Sequence, residues 1–206
     1  MIARTDADEG VHVVLGPISD VLDHLPIPAQ AAAEARALSD WRAKEYTAAR
    51  ALLVHALSTL DIDGTRLGKT AHGKPLLPGR RDVGISLSHS ADMVAVAVAP
   101  GRDVGVDVQE AWLPSPGMMR RCCEPGLVAD LTEAPPPERA RRFARIWAAQ
   151  EACVKATGEG IAGHPWKIPV HPGDRTGSWR ALRWLHLRDA DSAAAVCCAY
   201  TERTNR

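Results

Sequence analysis

Aromatic residues make up only 4% of this 206-residue sequence, and six of the nine are Trp. Charge of one sign is missing too: 25 Lys+Arg balance 25 Asp+Glu. That balance excludes a histone-like or polybasic membrane-surface protein and leaves no global field to steer a partner, only local patches. No nucleic-acid partner is expected. No stretch approaches 18 uninterrupted apolar residues, so no membrane span is expected. The N-terminal MIARTDADEG is acidic and polar where a secretory signal would be basic and then apolar. The five cysteines, Cys122, Cys123, Cys153, Cys197 and Cys198, are odd in number and lack paired CxxC spacing. They argue against a disulfide framework or a structural zinc site. They read as small apolar core residues of a cytoplasmic protein.

What is present is an ordinary globular composition, 46% hydrophobic and 24% charged, in a chain long enough for one or two domains. VHVVL (11–15) reads as a strand, followed by a connection punctuated by Pro17, Pro26 and Pro28. From 29 to 60 the pattern is Ala-rich and amphipathic, with a break near Ser39 or Asp40. ISLSHS (85–90), MVAVAVA (93–99) and VGVDV (104–108) read as three strands of an antiparallel meander. Prolines between 114 and 137 keep any helix there short. A long helix is predicted from about 138 to 157, with Pro137 near its start and Gly158 as its C-terminal cap. WKIPV (166–170), SWRALRWLHL (178–187) and AAAVCCAY (193–200) read as further strands. The expected fold class is α+β in two halves, 1–101 and 102–206.

Two periodicities place chemistry. In GVDVQE, alternation puts Val104, Val106 and Val108 on one face, and Gly105, Asp107 and Gln109 on the other. On the long helix, Trp147, Glu151 and Lys155 share one stripe. Taken singly, these signals also describe a solvated Glu–Lys pair and a turn aspartate. Their order along the chain is more specific. His72-Gly73-Lys74-Pro75, then Ser86 through Ser90 with Ser88-His89-Ser90, then Gly105-Val106-Asp107, then Phe143 through Trp147, Glu151-Ala152, Lys155 and Gly158 resemble the Sfp-type 4'-phosphopantetheinyl transferases. The resemblance runs from about Arg36 to Tyr200.

The resemblance implies two similar α+β halves, related by a pseudo-twofold, with the active site at their interface. It implies transfer of the phosphopantetheine arm of coenzyme A (CoA) to a serine of an apo acyl or peptidyl carrier protein, with Mg²⁺ and release of 3',5'-ADP, as in fatty-acid, polyketide or nonribosomal peptide biosynthesis. Asp107, Gln109 and Glu151 would be the metal positions, and Asp107, Glu151 and Lys155 the catalytic ones. CoA would be held by Arg50, His72, Gly73, Lys74, Pro75, Ser88, His89 and Lys155, with the first half on the adenine and 3'-phosphate side. The second half would carry the metal site and the carrier docking segment near Trp112, Met118 and Met119. Strict strand alternation sends Ser88 and His89 to opposite faces, so both reach one ligand only if the strand ends or twists there.

Three positions depart from the family pattern: Gln109 stands for a carboxylate, Gln150 for the Lys of a KEA triplet, and Leu127 for a Glu. They motivate an alternative, a non-catalytic CoA- or carrier-binding module with an eroded metal site; a third reading is an unrelated α+β domain. Residues 1–100 carry 10 basic and 12 acidic groups, and 101–206 carry 15 and 13. Within the second half, Arg120, Arg121, Arg139, Arg141, Arg142 and Arg145 bracket the expected docking region, which suits an acidic partner helix. A monomer is expected, with the site formed between its own halves.

Overall fold

A computed structural model describes residues 1–64, 66–189 and 191–202. Strands β1 (Ala3–Asp8), β2 (Val11–Pro17), β5 (Val83–Ser90) and β6 (Met93–Pro100) form one antiparallel sheet in the order β1-β2-β6-β5. Helices α1 (Ile18–His24), α2 (Ala29–Ala35) and α3 (Asp40–Ser58) belong to this half, as does the small hairpin of β3 (Gly68–Lys69) and β4 (Pro75–Leu76). The second sheet has the order β7-β10-β9-β8, with β7 (Val104–Glu110), β8 (Thr176–Trp179), β9 (Leu182–His186) and β10 (Ala194–Thr201). Its helices are α4 (Pro116–Cys122), α5 (Pro125–Glu133) and the long α6 (Pro136–Thr157). The chain is α+β in two halves, each a four-stranded sheet with helices.

Strand composition explains the layering. In β6, Val94, Val96 and Val98 face the helical core with Leu52, Leu53 and Ala56 of α3. Its alternate residues Ala95, Ala97 and Ala99 face Val104, Val106 and Val108 of the other sheet. Alanine on the inner face lets the two sheets approach, while valine fills the space under the helix. Strand β10 repeats the division. Ala195, Cys197 and Ala199 pack with α6, and Ala194, Val196 and Cys198 enter the layer between the sheets. All five cysteines are free thiols; Cys122, Cys153, Cys197 and Cys198 are buried, as their reading as core residues requires. Burial pushes the Cys153 thiol up to about 12. Among the described residues no helix is long and apolar enough to cross a membrane.

Several expectations are corrected. The 85–108 region is no meander: β5 and β6 pair, but β7 pairs with β10, with Val104 opposite Tyr200. WKIPV is not a strand, because Pro165 opens a 3-10 turn over Pro165–Lys167. The 178–187 stretch is a hairpin, turned at Arg180 with φ 54°, whose first strand begins at Thr176. Strand β1 and helix α1 were not anticipated. The first is an edge strand of exposed, largely polar residues without an apolar alternation. The second is seven residues long and begins directly after Pro17. The long helix is as expected, and Gly158 caps it in the left-handed region at φ 74°, where glycine costs least.

Candidate active site

The two periodic patterns meet because Gly105 has no side chain. A Cβ there would lie 2.0 Å from the Ala152 carbonyl oxygen and 2.5 Å from the Ala156 nitrogen, so β7 lies directly against the backbone of α6. Two residues along the same strand face, Asp107 therefore meets Lys155, with Nζ 2.6 Å from Oδ1. Lys155 also donates to the Ser88 hydroxyl at 2.9 Å and to the Val106 carbonyl at 3.3 Å. Glu151 lies one turn earlier on α6. Burial, reinforced by the Asp107 charge and opposed by Lys155, raises its carboxyl above the ordinary carboxylate value. Asp107 is 5% exposed, and its Oδ2 is buried with no hydrogen-bond partner.

The seam between the sheets brings the first half into this cluster. Strands β5 and β7 are each a sheet edge, and alternate serines of β5 reach the backbone of β7. The Ser86, Ser88 and Ser90 hydroxyls accept from the N–H groups of Val106, Val108 and Glu110 at 3.0, 3.2 and 3.0 Å. Hydroxyls thus replace the carbonyls of a missing strand partner. Ser88 spends its single O–H on Asp107 Oδ1 at 2.8 Å. The strand continues through Ser90, so alternation holds and His89 points away from Ser88. His89 Nδ1 lies 3.1 Å from Oε1 of Glu45 on α3, and Glu45 Oε2 accepts from Arg42 at 2.8 Å.

The Gly-Lys-Pro turn lies at the end of α6. Lys74 Nζ binds the Asp103 carboxylate at 2.8 Å and donates to the Ala156 carbonyl, tying the turn to the other half. His72, Gly73, Lys74 and Pro75 line one side of a cleft of about 140 Å³, and Ser86, Lys155 and Gly158 line the other. Arg50 lies outside this cluster. Its guanidinium stacks 3.3 Å over the Tyr46 ring, and the Tyr46 hydroxyl binds Glu34.

Among the described residues no three of His, Cys, Asp and Glu converge as a metal cage. The donor set is two carboxylates, Asp107 and Glu151, with Gln109 next on the strand. Such a set fits Mg²⁺, which keeps waters and ligand phosphates in its shell, and the unpartnered Asp107 Oδ2 is the kind of hard oxygen it takes. Gln109 donates to the neighbouring Glu110 carbonyl at 3.1 Å. Gln150 does not belong to the site: it is 0% exposed and donates to the Cys122 and Ile168 carbonyls, stapling α4 and the loop after Lys167 to α6. Leu127 packs on the α6 core.

The expected basic docking face is smaller than the composition implied. Arg139 caps the end of α5 through the Leu131, Thr132 and Ala134 carbonyls, and Arg145 is buried on the Pro172, Asp174 and Arg188 carbonyls. Arg142 pairs with Glu138, and Arg121 stacks 3.9 Å over Trp166. Met119 is buried, whereas Trp112 and Leu113 are exposed. Glu45 escaped the sequence reading. The signal was its phase: 45, 48, 49, 52, 53 and 56 form one helical stripe, so an acid at 45 faces inward with Ala48, Ala49 and Leu52.

Comparison with known proteins covers both halves. The 4'-phosphopantetheinyl transferase N-terminal domain matches residues 29–99, and the 4'-phosphopantetheinyl transferase superfamily domain matches 103–200. A 4'-phosphopantetheinyl transferase of Bacillus subtilis is 26% identical over 103 residues, 50% of this chain and 46% of that protein. The 4'-phosphopantetheinyl transferase AcpT of Escherichia coli K12 is 29% identical over 163 residues, 76% of this chain and 75% of AcpT. The 4'-phosphopantetheinyl transferase HetI of Nostoc is 29% identical over 168 residues, 76% of this chain and 71% of HetI. The match thus spans less than half of the Bacillus subtilis relative and about three quarters of the other two.

Proposed function

The chain belongs to the Sfp-type 4'-phosphopantetheinyl transferase family, and from that membership we propose that it transfers the 4'-phosphopantetheine group of CoA to a serine of an apo carrier protein. The observation that carries this reading is the convergence of Asp107, Ser88 and Lys155 within hydrogen-bond distance, with Glu151 one turn away. Phosphoryl transfer asks a protein for charge neutralisation and alignment more than for covalent help, and this cluster offers both.

In the proposed reaction the carrier serine oxygen forms a bond to the pantetheine-bearing phosphorus, and the bridging P–O bond breaks to release 3',5'-ADP. The serine proton passes to Glu151. Asp107 and Glu151 would hold Mg²⁺, with Gln109 able to accept from a bound water; bound there, the ion neutralises pyrophosphate charge as a Lewis acid. Ser88 holds the Asp107 carboxylate in place, and Lys155 brings an ammonium to the same phosphates. His72, Gly73, Lys74 and Pro75 would line the adenine side in residues 1–101, with His89 on a CoA phosphate and Arg50 facing the 3'-phosphate. Residues 102–206 would hold the metal and dock the carrier near exposed Trp112 and Leu113.

The test is intact mass after incubation of the chain with CoA, Mg²⁺ and apo acyl or peptidyl carrier proteins. One added phosphopantetheine is expected. CoA binding without mass gain on several carriers would identify instead a binding module with an eroded metal site, the reading that uncharged Gln109 favours. Neither binding nor mass gain would overturn both.

A further inference from the structure

Glu159 sets a carboxylate beside the cleft proposed for CoA. Gly158 and Gly160 line that cleft with His72, Lys74 and Lys155, and Glu159 stands between the two glycines. Adjacent Cα atoms are about 3.8 Å apart and a Glu side chain reaches about 5 Å, so its charge lies within about 10 Å of either glycine. The charge cannot swing clear. A Cβ at Gly163 would lie 2.9 Å from Glu159 Oε2 and 3.1 Å from Glu159 Cβ, so the backbone of the 160–163 turn closes over the side chain. Lys155 and Lys74 are committed to Asp107 and Asp103. Among the described residues the only ion-pair partner of Glu159 is Arg180, whose Nη1 donates to the two carboxylate oxygens at 2.9 and 3.0 Å.

Arg180 is held for this contact at a conformational cost. It opens the two-residue turn between Trp179 and Leu182, and its φ of 54° is one that glycine adopts more easily. Its guanidinium stacks 4.2 Å over the Trp179 ring, which fixes its direction. The side chains of the pair are 55% and 41% exposed, so as a surface ion pair it adds little to stability. What it changes is the field at the cleft. We propose that Arg180 is an electrostatic positioning residue: by cancelling the trapped Glu159 charge it keeps the Gly158–Gly160 wall neutral, so that the wall admits the phosphates of CoA. The inference rests on the reading that CoA occupies this cleft.

The full-length chain tests this by titration calorimetry with CoA and Mg²⁺ at 0.1 M and 1 M salt. Arg180→Gly removes the charge while its backbone suits the turn, so its melting temperature should stay close to that of the wild type. An uncancelled carboxylate about 10 Å from a ligand of several negative charges should weaken CoA binding about threefold at 0.1 M salt. At 1 M the screening length falls from about 10 Å to about 3 Å, and the two proteins should bind alike. Adding Glu159→Gln to Arg180→Gly removes the repulsion and should restore wild-type affinity at 0.1 M. Equal binding by wild type and Arg180→Gly at 0.1 M would overturn the inference. A deficit that persists at 1 M, or in the double variant, would overturn it too, because loss of a purely structural tether is cured neither by salt nor by a second substitution. The same series with pyrophosphate separates this inference from the proposed function. A chain that shows the pattern with pyrophosphate but does not bind CoA would refute the function and uphold the charge compensation; a wild type that binds neither would overturn both.

Discussion

Replacing Gly105 with Ala tests whether the approach of β7 to α6 builds the site. The new methyl would sit 2.0 Å from the Ala152 oxygen, where ordinary contact begins near 3.4 Å. Both opposing atoms are backbone, so no side chain can swing aside, and strand and helix must separate by about 1.4 Å. The Lys155–Asp107 contact, now 2.6 Å, would then open toward about 4 Å and cease to be a hydrogen bond. Overpacking of this kind costs about 2 kcal/mol, which for a chain of this size lowers Tm by roughly 4–8 °C. A displacement of about 1 Å among reacting groups costs on the order of 100-fold in rate. Thermal melting, Mn²⁺ binding and the intact-mass transfer assay read the three effects. The comparison variant is Leu182→Ala, which removes a buried side chain in β9 and should cost about 2–5 kcal/mol without moving α6. The expected pattern is a loss of transfer and metal binding in Gly105→Ala that exceeds anything in the less stable Leu182→Ala. Wild-type transfer by Gly105→Ala would refute the argument.

Two further outcomes follow from the carboxylates. Glu151 has its carboxyl raised in the folded chain, first by burial and then by Asp107. Between the unfolded and folded values the native state therefore binds more protons, and stability falls as pH rises through that window. In metal-free buffer Glu151→Gln should melt above the wild type at pH 8 and lose that advantage below the unfolded carboxyl value, while transfer falls by about 100-fold or more; equal melting at pH 8 would contradict the assignment. Gln109→Glu adds a third carboxylate beside Asp107 and should retain transfer while lowering the half-saturating Mg²⁺ concentration severalfold; loss of transfer would count against Gln109 lying near the metal.

The part of the site that was legible in the sequence is the part fixed by local periodicity. Asp107 follows from strand alternation and Glu151 with Lys155 from the helical repeat, and both are set within a dozen residues. What alternation could not give is which strand lies beside which. The partner of Val104 is Tyr200, and nothing in 104–108 distinguishes that pairing from one with β6. Glu45 was passed over because an acid in a helix is ordinarily solvated; its burial depends on Arg42 and His89 arriving to pair with it. Gln150 misled in the opposite direction. Measured against a family pattern it read as erosion of the site, yet its amide satisfies two buried carbonyls from elements 18 and 28 residues distant. Two of the six arginines near the expected docking region, Arg139 and Arg145, were misread for the same reason, since they are consumed by backbone carbonyls.

The serine seam accounts for why this chemistry lies between two sheets. Each four-stranded sheet turns one of its two edges, β5 or β7, toward the other sheet, and that edge needs covering. A continuous ladder would have fused the sheets and pointed alternate residues of β5 away from β7. Serine hydroxyls at alternate positions satisfy the β7 amides instead, and one of them, Ser88, has an O–H to spare for Asp107. The Asp107 carboxylate is thus held by Ser88 from the first half and by Lys155 from the second, while Lys74 and the Arg102–Asp8 pair tie the halves on either side. Neutral hydrogen bonds of this type contribute about 1 kcal/mol each, so the seam sets register and the apolar layer between the sheets supplies most of the cohesion. Neither half alone contains the constellation: without β5, Asp107 loses its hydroxyl donor, and without α6, its only cationic partner among the described residues.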